Sequence, residues 1–529
     1  MLLQPSLYHQ KAALSSTISY SPSLPWRNPH FTLRKTLNYN KLPITCSISQ
    51  VHSYGAMDYE RRPMIKWNSI YKKISLMENP ELGAGKVLNE MEKSGKKLTK
   101  WELCRVVKEL RKFKRHKYAL EVYDWMNSRE ERFKLTASDA AIQLDLISKV
   151  RGVSSAEDFF EKVTDKVKDR RIYGALLNAY VRANMREKAE SLIEKMRLKN
   201  YATHALPFNV MMTLYMNLKE YEKVETMVSE MREKKIQLDI YSYNIWLSSR
   251  GSQGSEDRME EVFELMKADT SSIPNWTTFS TMATMYIKMG QLEKAEDCLR
   301  RVESRITGRD RIPYHYLLSL YGNVGNKEEV HRVWNVYKSI FPSIPNLGYH
   351  AIISSLIRMD DIGGAEKIYE EWLAVKVSYD PRIGNLLMGW YVRQGNSGKA
   401  DVVFKQMVES GGKPNASTWE ILTDGHIRDK RISEAVSSFK EAFVAEGSRS
   451  WKPKPVIVSS FFELCDEEGD TGNRRVLEGL FRDSGLLRDE NYASLIGLSP
   501  TSNEVSGEED RSDDINENET LVEQLQGSL

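Results

Sequence analysis

The sequence predicts an all-α fold: a right-handed superhelical solenoid of about ten to twelve helix–turn–helix repeats, each of ~35 residues. Three observations lead there. An anchor position recurs at 103, 139, 173, 208, 243, 279, 314, 349, 384 and 419, in steps of 34 to 36 residues. Within each copy, apolar residues lie 3, 4 and 7 apart in two runs, the period of two amphipathic helices. The chain has 529 residues, too many for one compact core, whereas stacked hairpins extend a core without limit.

Residues 1–57 carry Lys11, Arg27, Arg34, Lys35 and Lys41 and no acid. They are rich in hydroxyls (Ser15, Ser16, Thr17, Ser19, Ser21, Ser23) and have no Arg before Arg27, the composition of a transit peptide of the chloroplast rather than the mitochondrial kind. Residues 58–100 read as N-terminal capping helices, without a clean anchor, as expected of an end repeat. Lys93–Lys117 is the most basic stretch, with eleven Lys or Arg against Glu102 and Glu109. Arg105, Lys108, Lys112 and Arg115 fall on one helical stripe, suited either to neutralising phosphates or to forming a solvated face.

The repeat array occupies residues 101–450. Seven residues beyond the anchor an aromatic is frequent (Tyr180, Tyr215, Tyr286, Tyr321, Tyr391). Eleven beyond it Gly290, Gly325 and Gly395 suit a left-handed helix end. Sixteen beyond it stand Ala119, Ala189, Val224, Ala295, Val330, Ala365, Ala400 and Ala435, small enough for a second helix to pack closely on the first. Met196, Met231, Met266, Tyr337, Trp372 and Met407 follow at the twenty-third place. These stripes are expected to be core. Residues 451–499 read as degenerate closing repeats, and residues 500–529, with nine acids against Arg511, as a disordered acidic tail.

Composition narrows the function. No run approaches the ~18–20 apolar residues that span a bilayer, so no membrane association is expected. Cys46, Cys104, Cys298 and Cys465 form no CxxC pair, and nine scattered His give no metal-ligand spacing. There is no phosphate loop, no HExxH and no GxSxG. The chain is read as a non-enzyme without cofactor. Its net charge of +3 is compatible with a polyanionic partner but does not identify one.

The register also carries a family resemblance. No copy opens with the Trp-x-x-Leu-Gly-x-x-Tyr of tetratricopeptide repeats. Phe208-Asn209-Val210-Met211-Met212 and Tyr243-Asn244-Ile245-Trp246-Leu247 resemble the opening of a plant pentatricopeptide repeat. Ala189-Glu190-Ser191-Leu192-Ile193-Glu194-Lys195-Met196 resembles its second helix, and Lys413-Pro414-Asn415 its connector. The even spacing resembles the P subclass. Nothing resembles the C-terminal deaminase extension, which requires a His-x-Glu and paired CxxC ligands.

This resemblance implies binding of single-stranded organellar RNA, about one base per repeat. With the anchor as fourth residue of each repeat, the implied readers are the fifth residue and the last. Asn209 with Asp239 matches a uracil-preferring pair, Asn244 with Asn275 and Asn385 with Asn415 match pyrimidine pairs, and Ser280 with Asp310 resembles a guanine-preferring pair. His315 with Asn346, where the connector is one residue short, and His350 with Asp380 have no assigned base. The implied wedges between bases are Leu206, Tyr241, Ile312 and Leu347, with Arg382 and Ser417 less well suited. Asp, Asn and Ser before a helix are also favoured N-caps, so the same residues admit a purely structural reading. Two functions follow: an organellar RNA-binding protein that acts by occupancy in stabilisation, processing or translation, alongside other RNA-metabolism proteins, or a helical scaffold for a protein partner.

Overall fold

The computed structural model describes residues 65–77, 83–445 and 451–495. The expected transit peptide and acidic tail lie outside the described residues. Among the described residues there are twenty-five α-helices, from Ile65–Ser75 to Glu490–Leu495, and no strand. None is long and apolar enough to cross a membrane.

The hairpins follow the register. Ala205–Asn217 and Tyr221–Glu233 form one repeat, Ile240–Ser252 and Glu256–Ala268 the next, and Trp276–Lys288 and Leu292–Ser304 the third in sequence. The first helix of each repeat packs on its own second helix and on the first helix of the following repeat, without a break from Ala137–Val150 to Pro455–Glu467. Among the described residues the main contacts all join neighbouring helices or repeats, as expected of a solenoid. One apolar core runs from Ile70 to Leu422, and a second, from Ile427 to Tyr492, closes the array. The expected stripes are in it: Ala189, Ala295, Ala365 and Ala435 are fully buried, as are Met196, Met231, Tyr337 and Trp372.

The turn inside the hairpin shows why glycine recurs eleven residues past the anchor. Gly290, Gly325 and Gly395 have φ of 74°, 83° and 70°. The same left-handed geometry occurs at Lys114, Asn184, Lys219, Asp360 and Lys430, where no glycine marks it. The next residue then donates its N–H back to the carbonyl of the tyrosine at the seventh place, as from Glu220 to Tyr215 (2.8 Å) and Gln291 to Tyr286 (2.8 Å). The 139 copy departs from this, turning instead at Gly152, with φ of 93°.

Those tyrosines also carry a bond that periodicity did not reveal. Each hydroxyl donates to a glutamate on the second helix of the preceding repeat: Tyr180 to Glu157 (2.8 Å), Tyr215 to Glu190 (3.1 Å) and Tyr286 to Glu260 (2.8 Å). Lys188, Lys223 and Lys294 reach the same carboxylates at 2.9, 2.7 and 2.9 Å. At Glu260 the bond from Lys294, then that from Tyr286, holds the carboxyl below the usual carboxylate range. The buried ring supplies packing while its polar edge ties adjacent repeats together.

Candidate nucleic-acid interface

The candidate readers cluster at the N-terminal ends of successive first helices, where four backbone N–H groups lack partners within the helix. The last residue of the repeat acts as cap. Asp239 accepts from Ser242 N at 2.8 Å, Asn275 from Thr277 N at 2.9 Å, and Asn415 from Thr418 N at 2.8 Å. Asp380 accepts from Arg382 N at 3.1 Å, whereas Asp310, which accepts from Ile312 N at 3.0 Å, stands one residue before the cap position, held by Arg311. Each such cap contributes on the order of 1 kcal/mol.

Capping leaves part of these side chains for a neighbour, and an asparagine at the fifth place uses it. Asn209 Nδ2 donates to Asp239 Oδ1 at 3.0 Å, and Asn385 Nδ2 to Asn415 Oδ1 at 3.2 Å. The structure therefore brings both pairs together across the repeat junction. Asn244 and Asn275 are joined through a hydroxyl: Asn244 Nδ2 donates to Thr277 Oγ1 at 3.0 Å, and that hydroxyl donates to Asn275 Oδ1 at 2.6 Å.

The residue just before the next anchor completes the arrangement, and the sequence reading passed over it. Ser242 Oγ donates to Asn209 Oδ1 at 2.7 Å, and Thr418 Oγ1 to Asn385 Oδ1 at 2.9 Å. A hydroxyl immediately before an aromatic anchor, one repeat after an asparagine reader, was the available signal.

The pairs of Ser280 and of His315 are not assembled in this way. Ser280 is 3% exposed, and its hydroxyl donates to Trp276 O at 2.9 Å within its own helix. Serine is too short to span the junction that asparagine bridges. His315 is likewise 3% exposed, with Nε2 bonded to the Tyr337 hydroxyl at 2.9 Å. Burial, then the nearby charge of Arg311, lowers its pKa to about 4, so it stays neutral. It belongs to an aromatic cluster with Tyr314, Tyr337 and Phe341, and it presents no edge to a base. Its expected partner Asn346 is engaged elsewhere, donating to Asp380 Oδ2 (3.4 Å) and accepting from Trp372 Nε1 (3.0 Å). The short connector explains this, because Pro345 takes the cap position and Asn346 becomes the first helical residue. Asp380 is clamped by Arg382 through Nε at 3.0 Å and Nη2 at 2.7 Å, while His350 is half-buried on the helix Asn346–Arg358.

Of the expected wedges, Tyr241 is 41% exposed, whereas Leu206 packs against the core. The basic stripe is largely engaged: Arg105 pairs with Glu109 at 3.2 Å and lies over the Trp67 ring, and Arg115 donates to Ser75 O at 2.8 Å. Positive charge gathers instead around Asp145, which Arg111, Lys149 and Arg182 approach at 3.1, 3.0 and 3.6 Å.

Known proteins of one family are similar to this chain. The pentatricopeptide repeat domain model matches residues 191–252 and 226–289, and the PPR repeat model matches 171–201, 277–305 and 385–412. A pentatricopeptide repeat-containing protein of Arabidopsis thaliana is 61% identical over 529 residues, 100% of both chains. A second from Arabidopsis thaliana, named as mitochondrial, is 35% identical over 408 residues, covering 77% of this chain and 80% of its own. The Arabidopsis thaliana large ribosomal subunit protein mL101 (rPPR4) is 32% identical over 450 residues, or 84% and 91%. Among solved structures, the pentatricopeptide repeat protein PPR10 in complex with an 18-nt psaJ RNA element aligns at 20% identity and a TM-score of 0.44. That alignment covers 79% of this chain and 61% of PPR10, so this chain spans less than two thirds of that protein. With its register, hairpins and full-length relative in accord, the chain belongs to the pentatricopeptide repeat family.

Proposed function

We propose that this protein binds single-stranded RNA in a plant organelle and reads part of it through the repeats at 205–239, 240–275 and 381–415. The observation that carries this reading is the placement of Asn209 and Asn385 directly against the caps of the following helices, and of Asn244 against its cap through the Thr277 hydroxyl, at one register position along the array. A paired amide and cap offers hydrogen-bond groups of the kind that recognise a Watson–Crick edge. The proposed preference is U at the first of these repeats and a pyrimidine at the second and at the last. The repeat at 276–310 prefers G only weakly, because Ser280 must first release Trp276. Bound RNA is shielded by occupancy, which protects it from exonucleases or keeps a translation site unfolded. The transit-peptide composition of residues 1–57 supports the chloroplast, while relatives named as mitochondrial support the other organelle.

The test is crosslinking of the tagged protein in intact organelles, with sequencing of the protected RNA. One sharp footprint of about ten bases, a base for each repeat, containing U-pyrimidine is expected, and it should disappear with Asn209→Ala. Diffuse RNA, unchanged by that substitution, would sink the proposal.

A second reading is favoured by the likeness to mL101, whose name makes it a ribosomal component. On that reading the solenoid is a scaffold in a ribonucleoprotein assembly. Stable co-sedimentation with large ribosomal subunits after nuclease treatment would select it.

A further inference from the structure

We infer that Ser242 and Thr418 are specificity-determining positioning residues: their hydroxyls fix the amide orientation of the asparagine readers one repeat upstream. The inference rests on the RNA-reading proposed above and adds residues that the two-residue pairing does not contain.

An asparagine amide presents a carbonyl on one side and two N–H groups on the other, and rotation by half a turn exchanges them. A reader that can rotate offers either pattern to a base and selects poorly. At Asn209 the exchange is blocked from both sides. Asp239 Oδ1 only accepts, so the amide nitrogen must face it, at 3.0 Å. The carbonyl then faces Ser242, whose hydroxyl lies 2.7 Å from it and 3.0 Å from Asp239 Oδ1, so that the amide carbonyl is the nearer acceptor of its one proton. Ser242 is itself held, since its N–H caps on Asp239 at 2.8 Å and its side chain is fully buried. Asn385 repeats the logic with different atoms. Asn415 Oδ1 is committed as an acceptor by Thr418 N at 2.8 Å, so Asn385 turns its nitrogen to that oxygen and its carbonyl to Thr418 Oγ1 at 2.9 Å, a hydroxyl whose one proton is shared with Asn415 Oδ1, also at 2.9 Å. In both cases these bonds leave over one amide N–H of the reader, Asn209 being 7% exposed and Asn385 half-buried, and the cap supplies the variable half: carboxylate oxygen at Asp239, amide at Asn415.

The pattern along the chain supports a dedicated role. The hydroxyl immediately before the next anchor takes this role after Asn209 and Asn385, at Ser242 and Thr418, and is present without the bond after Asn244, at Thr278. After Ser280, His315 and His350 the same place holds Pro313, Gly348 and Ile383. The copy at 240–275 supplies an internal control. Its latch has shifted by one residue to Thr277, while Thr278 Oγ1 and Asn244 Oδ1 are both buried without a hydrogen-bond partner.

The experiment uses the full chain and a synthetic single-stranded RNA pool with a randomised core, selected by binding and sequenced. Wild type, Asn209→Ala, Ser242→Ala, Ser242→Thr, Thr418→Val, Thr277→Val and Thr278→Val are compared, with helicity followed by circular dichroism. Ser242→Ala is expected to reduce base preference about fivefold, the worth of one orienting hydrogen bond, and only at the position facing Asn209. Thr418→Val should do the same at the position facing Asn385, Thr277→Val at that facing Asn244, and Ser242→Thr should restore selectivity. Thr278→Val should change nothing. If Asn209→Ala erases the preference while Ser242→Ala and Thr418→Val keep it, the inference is overturned and the RNA reading survives. A wild-type protein without base preference at any position overturns both. Loss spread evenly over all positions would make the hydroxyls merely structural, which also overturns the inference.

Discussion

The close approach of successive first helices can be tested at Gly322. This glycine is buried in Ile312–Val324, and a Cβ placed on it would lie 2.6 Å from Ser355 Cβ, 2.7 Å from Ser355 Oγ and 3.1 Å from Ser355 Cα. Carbon atoms normally approach to about 3.5–4.0 Å, so Gly322→Ala requires the helix Asn346–Arg358 to retreat by roughly 1 Å. Ser355 cannot swing aside, because its hydroxyl donates to Leu318 O at 2.9 Å and Ala351 O at 2.8 Å and the residue is fully buried. Overpacking of this kind costs about 1–3 kcal/mol. Alanine returns about 1 kcal/mol as the better helix former. The net expectation is a destabilisation of about 1 kcal/mol, largely relieved in the double variant with Ser355→Gly. Urea unfolding of the single and double variants measures the coupling, and hydrogen exchange over residues 311–375 locates it. Array unfolding is not strictly two-state, so the comparison is made on the local exchange free energies. A Gly322→Ala protein as stable as wild type, or one indifferent to Ser355→Gly, would refute the packing argument.

Further outcomes follow from other positions. Lys219 holds a left-handed backbone, with φ of 58°. That conformation costs a non-glycine residue roughly 1–2 kcal/mol, against about 0.5–1 kcal/mol for the added freedom of glycine in the unfolded chain. Gly325, with φ of 83°, avoids that cost, and Gly325→Ala should therefore lower the urea midpoint. His315 is neutral and buried, with its pKa lowered to about 4 from an ordinary 6.5. Its contribution is fully present above pH 6.5 and is lost as the pH falls towards 4, since the unfolded chain binds the proton more readily. By pH 5 the loss is about 2 kcal/mol, and His315→Gln should flatten the stability–pH profile between pH 7 and 5.

Much of this organisation is legible in the chain. Anchors, small residues at the sixteenth place and large ones at the twenty-third each recur once per hairpin, because the packed hairpin imposes the same volumes on every copy. Gly290, Gly325 and Gly395 mark turns for which glycine is best suited. Lys114, Lys219 and Lys430 adopt the same geometry without a mark, since a fully formed hairpin can impose a strained φ on an unsuited residue. The tyrosine stripe read correctly as core, yet its hydroxyl partners lie one repeat back on another helix, beyond the reach of periodicity.

The candidate site divides similarly. The positions of the readers follow from register alone, because every repeat starts its first helix at the same place. What those residues do depends on neighbours in space. Asn209 and Asn385 meet the next cap because their side chains are long enough. Ser280 folds back onto Trp276, and His315 is drawn into an aromatic cluster whose residues come from both helices of its hairpin. Asn346 is displaced from the cap by a connector one residue short. By itself the sequence determined the fold class, the period and the location of the candidate readers, all of which are local patterns repeated along one axis. Only the tertiary structure decided which readers face the junction and how their amides are turned, because hydrogen bonds between repeats join residues some 30 positions apart.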